Sequence, residues 1–244
     1  MNDSTSKPDP TPSERGAPRP PRHAVLSGAG GGVGSRIART FADHGCRLVL
    51  PARSGLDELR RAFPDARVVE ADLGDPEACR RVAEAAQEAF GGVDAVVNVA
   101  GGFGMHSALE LTPEDLETQL TINLRTAVNL TGALLPSLVE RGHGAVLGVS
   151  AGAAGRGGRR MTAYAASKAA LEGYLRSVRA EVEPDGVGVS LLIPEGAVDT
   201  PANRHAMPDA DPSAWVAPRA LADAAWFLAS RPPGGHVPEL RVAA

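Results

Sequence analysis

At 244 residues the chain is long enough for one sizeable α/β domain, and 43% hydrophobic with 22% charged residues is an ordinary globular balance. A formal net charge of −4 offers no basic face to a phosphate backbone, so nucleic acid is not an expected partner. The two cysteines, Cys46 and Cys79, make neither a disulfide framework nor a metal site, and point to a reducing, cytoplasmic setting.

Residues 1–22 carry Pro8, Pro10, Pro12, Pro18, Pro20 and Pro21 among polar residues. Such a stretch buries too little apolar surface to offset its ordering entropy, so a disordered tail is expected there. It lacks the apolar core of a secretory signal, and no later stretch reaches the roughly 20 apolar residues that span a bilayer. No membrane partner is expected.

From residue 23 onward short apolar runs alternate with helix-compatible segments. Strands are expected at His23 to Ser27, Arg47 to Leu50, Arg67 to Glu70, Ala95 to Val99, Ala145 to Val149 and Val187 to Ile193. Helices are expected at Val33 to His44, Leu56 to Phe63, Pro76 to Phe90, Pro113 to Arg141, Thr162 to Glu183 and Pro218 to Ala229. This alternation predicts α/β architecture: one Rossmann-type, doubly wound parallel sheet with helices on both faces, over 23–244. Runs such as Val96-Val97-Asn98-Val99 suit strands covered on both sides. Asp199 to Val216 is polar, punctuated by proline and too long for a mere connection.

The turn after the first strand reads Ser27-Gly28-Ala29-Gly30-Gly31-Gly32-Val33-Gly34 and opens a helix. Glycines there let the backbone approach a pyrophosphate, and the helix amino terminus supplies free N–H groups, so this is a dinucleotide-binding candidate. Where an acidic residue would hold the ribose hydroxyls of NAD, the second strand ends in Pro51-Ala52-Arg53. Arg53 can meet a 2′-phosphate instead, which favours NADP(H) over NAD(H). A solvated surface arginine is the plain alternative. Tyr164 and Lys168 lie four apart on one helix face. An ammonium near a phenol favours the phenolate, and such a tyrosine can exchange a proton with a substrate oxygen during hydride transfer.

Together these features resemble the short-chain dehydrogenase/reductase family over about residues 23–231. The glycine turn looks like TGxxxGxG with Ser27 for threonine, and Asn98-Val99-Ala100-Gly101 is similar to NNAG. Tyr164-Ala165-Ala166-Ser167-Lys168 matches YxxxK. The resemblance implies a sheet of about seven strands, with Asp72 and Leu73 at adenine and Asn98, Ala100 and Gly101 at the cofactor. Tyr164 and Lys168 would also touch the cofactor, Lys168 holding the nicotinamide ribose. Asn123 would position a water that links the lysine to solvent, and homodimers or homotetramers are common. Pro194, Val198 and Thr200 match a PGxVxT cofactor motif that is one residue longer here.

The family serine, thirteen residues before the tyrosine, falls on Ala151, with Ser150 beside it. Neighbouring strand residues face opposite ways, so Ser150 serves as a catalytic hydroxyl only if the strand end bends. Val99-Ala100-Gly101-Gly102-Phe103 and the segment from Asp199 to Trp215 resemble dihydropteridine reductase-like members of the family, implying a substrate lid at about 199–217. The expected activity is NADPH-dependent reduction of a carbonyl or conjugated C=O/C=N group on a small cyclic metabolite, with Tyr164 as proton donor. A redox-neutral dehydration or cyclisation, or cofactor binding without catalysis, are the other readings. His106, His143 and His205 lack metal-ligand spacing. Arg156, Arg159 and Arg160 read as a solvated loop, or as a patch steering an acidic substrate.

Overall fold

The computed structural model describes residues 19–232 and 234–244. Most of the expected amino-terminal tail lies outside the described residues. Within it, the Arg19 N–H donates to the Ser230 carbonyl at 2.9 Å and the Arg22 N–H to Asp94 at 2.9 Å.

Seven parallel strands form one sheet in the order β3-β2-β1-β4-β5-β6-β7. They are β1 (His23–Leu26), β2 (Arg47–Ala52), β3 (Arg67–Glu70), β4 (Ala95–Asn98), β5 (Gly144–Val149), β6 (Val187–Pro194) and β7 (Glu239–Val242). The order reverses between β1 and β4, which opens a crevice at the carboxyl ends of those strands.

Side chains alternate between two cores, one on each face of the sheet. Ala24, Leu26, Leu48, Leu50, Val97 and Leu192 pack on one side with α1 (Gly32–Asp43), α2 (Leu56–Ala62) and α9 (Pro218–Ala229). Val25, Val49, Val96, Val146, Leu191 and Ile193 pack on the other with α3 (Pro76–Phe90), α5 (Thr126–Arg141) and α7 (Thr162–Val182). Strands buried on both faces need apolar residues at nearly every position, which is why each reads as an unbroken run.

Three local features depart from the sequence expectation. The helix expected over Pro113 to Arg141 is α4 (Pro113–Leu120), a π-helical segment (Thr121–Arg125) and then α5. Short helices α6 (Ala153–Arg156) and α8 (Pro201–Ala206) lie in loops, α8 within the expected lid. Their few residues carry no readable period, and each depends on tertiary contacts. Among the described residues no helix is long and apolar enough to cross a membrane.

Candidate active site

The glycine turn forms the floor of a cavity of about 650 Å³, bordered by Gly28, Gly32, Val33 and Gly34. Gly28 has φ +75, and a Cβ on it would lie 2.8 Å from the Ala100 nitrogen; one on Gly34 would lie 2.0 Å from the Gly28 carbonyl oxygen. Only glycine permits this conformation and this packing of α1 on the turn. The α1 N-cap, Gly31, has no side-chain capping bond, so the first N–H groups of the helix remain available to an anion. Ser27 lies beneath the turn, accepting from Val99 N and Ala100 N at 3.1 Å each. It therefore fixes the β1 and β4 ends relative to one another. These residues fit a nicotinamide dinucleotide.

Tyr164 and Lys168, one turn apart on α7, both border the cavity. The Lys168 ammonium donates to the Val149 carbonyl at 2.9 Å, and burial pushes it down to about 8. Burial pushes the Tyr164 phenol up to about 12, and no attraction from the ammonium offsets this. The expected lowering of the tyrosine is thus absent, because desolvation of the phenolate is the cause that acts on it. Phe103 covers the phenol edge-on, with centroids 5.0 Å apart and planes at 83°.

Asn123 lies in the π-helical segment, fully buried. Its side chain accepts from Gly102 N and donates to the Gly102 carbonyl, both at 3.0 Å, and also donates to Ser167 Oγ at 3.1 Å. A Cβ on Gly101 would sit 2.5 Å from Asn123 Oδ1 and 3.4 Å from Lys168 Nζ. The bare Gly101 therefore has both functional side chains beside it. A π-helical turn places one extra residue in the helix, which re-aims Asn123 at the Gly102 peptide.

Ser150 continues the β5 ladder, its N–H donating to Leu192 at 2.9 Å. Its hydroxyl donates to Glu172 Oε1 at 2.7 Å, towards α7. Ser150 and Ala151 both border the cavity, and Ala151 presents no hydroxyl. Pro194, Val198 and Thr200 border it from the β6 side, with Ala100 and Gly101 opposite.

Five of the expected cofactor residues lie outside the cavity lining: Ser27, already placed beneath the turn, and four more. Asn98 is buried and donates to Thr131 Oγ1 at 3.0 Å. Asp72 accepts from Gly74 N at 2.9 Å, Leu73 is buried beside it, and Arg53 is exposed at the end of β2.

The lid is closed at its base by a bridge between Val198 and Val216. Thr200 caps α8, accepting from Asn203 N at 3.2 Å, and Asn203 Nδ2 donates to the Val198 carbonyl at 2.8 Å. From α8 and its end, Ala202, Asn203, Ala206 and Met207 face the cavity; Trp215 is not part of its lining.

Glu172 had no signal in the sequence beyond its four-residue step from Lys168, whereas Phe103 ended the resemblance over residues 99–103 and Glu195 lay in the lengthened PGxVxT segment, neither being singled out as a site residue. Glu172 is buried and also accepts from Arg176 Nη2 at 2.8 Å. Glu195, the residue in the lengthened β6 loop, pairs with both Arg156 and Arg241. Those two guanidiniums, Arg241 foremost, hold its carboxyl below the usual carboxylate range.

Residues 22–211 match the short chain dehydrogenase family model, and the chain belongs to that family: it is an NAD(P)-dependent oxidoreductase. It is 35% identical to the uncharacterized oxidoreductase YxnA of Bacillus subtilis over 222 residues, 85% of this chain and 62% of that protein. The match thus spans less than two thirds of the Bacillus protein. An uncharacterized oxidoreductase of Staphylococcus saprophyticus is 30% identical over 90% of this chain and 95% of its own length. The L-sorbose reductase of Gluconobacter frateurii, solved with NADPH and L-sorbose, superposes with a TM-score of 0.81 at 27% identity, covering 91% of this chain and 95% of that one. The seven-stranded parallel sheet is thereby the fold of the family.

Proposed function

We propose that the chain is an NADPH-dependent reductase of a carbonyl or conjugated C=O/C=N group on a small cyclic metabolite, with Tyr164 as the proton donor. The observation that carries this reading is the pairing of half-buried Tyr164 with buried Lys168 on one wall of the cavity bounded by the glycine turn. A nicotinamide dinucleotide bound there supplies the hydride. The phenol, raised to about 12, holds its proton at neutral pH and can give it to an oxygen that gains charge. Lys168, anchored on the Val149 carbonyl, holds its ammonium beside Gly101, one helical turn from Tyr164. Its nearness would stabilise the tyrosinate left after the transfer. Asn123 fixes the Gly102 peptide against α7 and so holds the spacing between the two sides of the site.

The exposed Arg53, in place of an acidic residue, favours NADPH. Phe103 against Tyr164 and the α8 lid over the cavity support a dihydropteridine reductase-like arrangement for a flat substrate. A homodimer or homotetramer in the cytoplasm is the assembly and setting that go with this reading. Ser150 takes a supporting part, since its hydroxyl is committed to Glu172.

Tyr164→Phe decides the matter. Its NADPH oxidation with a cyclic carbonyl substrate is expected to fall by about 10³-fold or more, with NADPH affinity within about threefold of wild type. Near-normal turnover would overturn the assignment. A parallel comparison of NADPH with NADH, in wild type and Arg53→Gln, tests the cofactor preference.

A further inference from the structure

We infer that Arg156 is an anion-binding residue of the substrate site, and that the substrate carries a carboxylate. Among the described residues, Arg156 and Lys168 are the only charged side chains that border the cavity, and no carboxylate does so. The Lys168 ammonium is buried on the Val149 carbonyl, whereas the Arg156 side chain borders the cavity and is 62% exposed. A free carboxylate entering this cavity therefore meets one accessible cation, and it stands at the substrate side.

Three features set that guanidinium in place. The short helix α6 begins at Ala153, just beyond Ala151 and Gly152, so Arg156 rises from the loop that carries Ala151, the position to which the resemblance assigns the family serine. Gly152 is bare: a Cβ there would lie 2.5 Å from Arg156 Nη2, so the guanidinium lies across the loop and not away from it. Glu195 holds Nη1 from behind and is itself shared with Arg241.

One nitrogen of the fork is thus engaged, and Nε and Nη2 keep N–H donors for a planar anion. Glu195 divides its charge between Arg156 and Arg241, so its carboxylate is not committed to Arg156 alone. The flanking Arg159 and Arg160 are exposed and add to the field at the same mouth. A carboxylate on a ring that also bears the reducible carbonyl satisfies this arrangement, since Ala151, Ala153, Met161, Ala206 and Met207 offer the ring apolar wall and the remaining polar lining residues, Ser150, Tyr164, Thr200 and Asn203, are uncharged.

The turnover arm of the test rests on the reductase reading; the binding arm does not. In the first, NADPH oxidation is followed with 3-oxocyclohexanecarboxylate and with its methyl ester. Wild type is expected to show a KM for the acid at least about tenfold below that for the ester. Arg156→Gln should abolish the preference while leaving the ester within about twofold, and Arg156→Lys should keep part of it. Raising sodium chloride to about 0.5 M should shrink the preference in wild type, a measurement that needs no variant.

In the second arm, benzoate and benzamide are titrated calorimetrically into the protein with NADP bound, for wild type and Arg156→Gln. Benzoate is expected to bind at least about tenfold tighter than benzamide to wild type alone. Equal affinity for acid and neutral partner, or a preference that survives Arg156→Gln, overturns the inference. Absence of NADPH oxidation together with Arg156-dependent benzoate binding would sink the reductase reading and leave the anion site standing.

Discussion

Lys168 enters a buried position where, among the described residues, its ammonium donates to the Val149 carbonyl alone, and that placement has a thermodynamic signature. Its ordinary value is 10.5, and burial brings it to about 8. Between these values the unfolded chain holds a proton that the folded chain has released, so stability climbs as pH rises through the window. Below about 8 both states are protonated, and the buried charge is a constant cost. Tyr164 acts in the opposite sense: between 10 and about 12 the folded chain keeps a proton that the unfolded chain has lost, so stability falls with rising pH. The buried thiols of Cys46 and Cys79, raised to about 12 and about 11, act as the tyrosine does. Referring wild type to Lys168→Met cancels these contributions. Urea unfolding without cofactor should show wild-type stability, relative to that variant, rising by about 2–3 kcal/mol from pH 7 to pH 10. A flat difference would mean that the ammonium is solvated in the folded state.

At the scale of elements, the end of β5 and the face of α7 are joined through Ser150 and Glu172. Strand alternation sends Val149 to the α1 side and Ser150 to the α7 side, where a buried carboxylate takes its hydroxyl. Ser150→Ala leaves that carboxylate short of one donor and should lower stability by about 1–3 kcal/mol. Turnover should fall less than about tenfold, far short of the loss expected for Tyr164→Phe. A loss as deep as that of Tyr164→Phe, in a stably folded protein, would place the hydroxyl at the reacting oxygen instead.

The same elements show what could be read beforehand. The Ala151 displacement followed from counting back from Tyr164, and the opposed facing of Ser150 followed from the period of a strand. The partner of Ser150 did not, because Glu172 is 22 residues away and reads as an ordinary helix charge. Nor was the π-helical break at Thr121–Arg125 legible. Its residues continue a helical pattern, and the contacts of Asn123 with Gly102 and Ser167 that accompany the break are tertiary.

Over the whole molecule, the doubly wound parallel sheet and the glycine turn after its first strand were legible because a parallel sheet covered on both faces imposes apolar runs and glycine turns that survive in sequence. What was not legible is how the edge of the sheet meets the site. Glu172, Arg176, Glu239, Arg241, Glu195 and Arg156 form a chain of alternating charge from α7 through β7 to the loop beside Ala151. Its links are separated by up to 63 residues, so no local pattern announces them. Exposed pairs of this kind contribute only about 0–1 kcal/mol each, too little to hold the fold. They are enough to bias a short loop, because local opening draws on the same small energies.

Glu195→Ala releases Arg156 and Arg241 together, and should lower global stability by no more than about 2 kcal/mol. Opening of the loop should become easier by about 1 kcal/mol, and trypsin cuts it only when it opens, at Arg156, Arg159 or Arg160. Cleavage there should accelerate about fivefold, with cutting elsewhere unchanged, as read by mass spectrometry of limited digests. Uniform acceleration across the chain would show that Glu195 supports the whole fold and not this loop, whereas an unchanged rate at the three arginines would show that α6 holds its position without the edge strand.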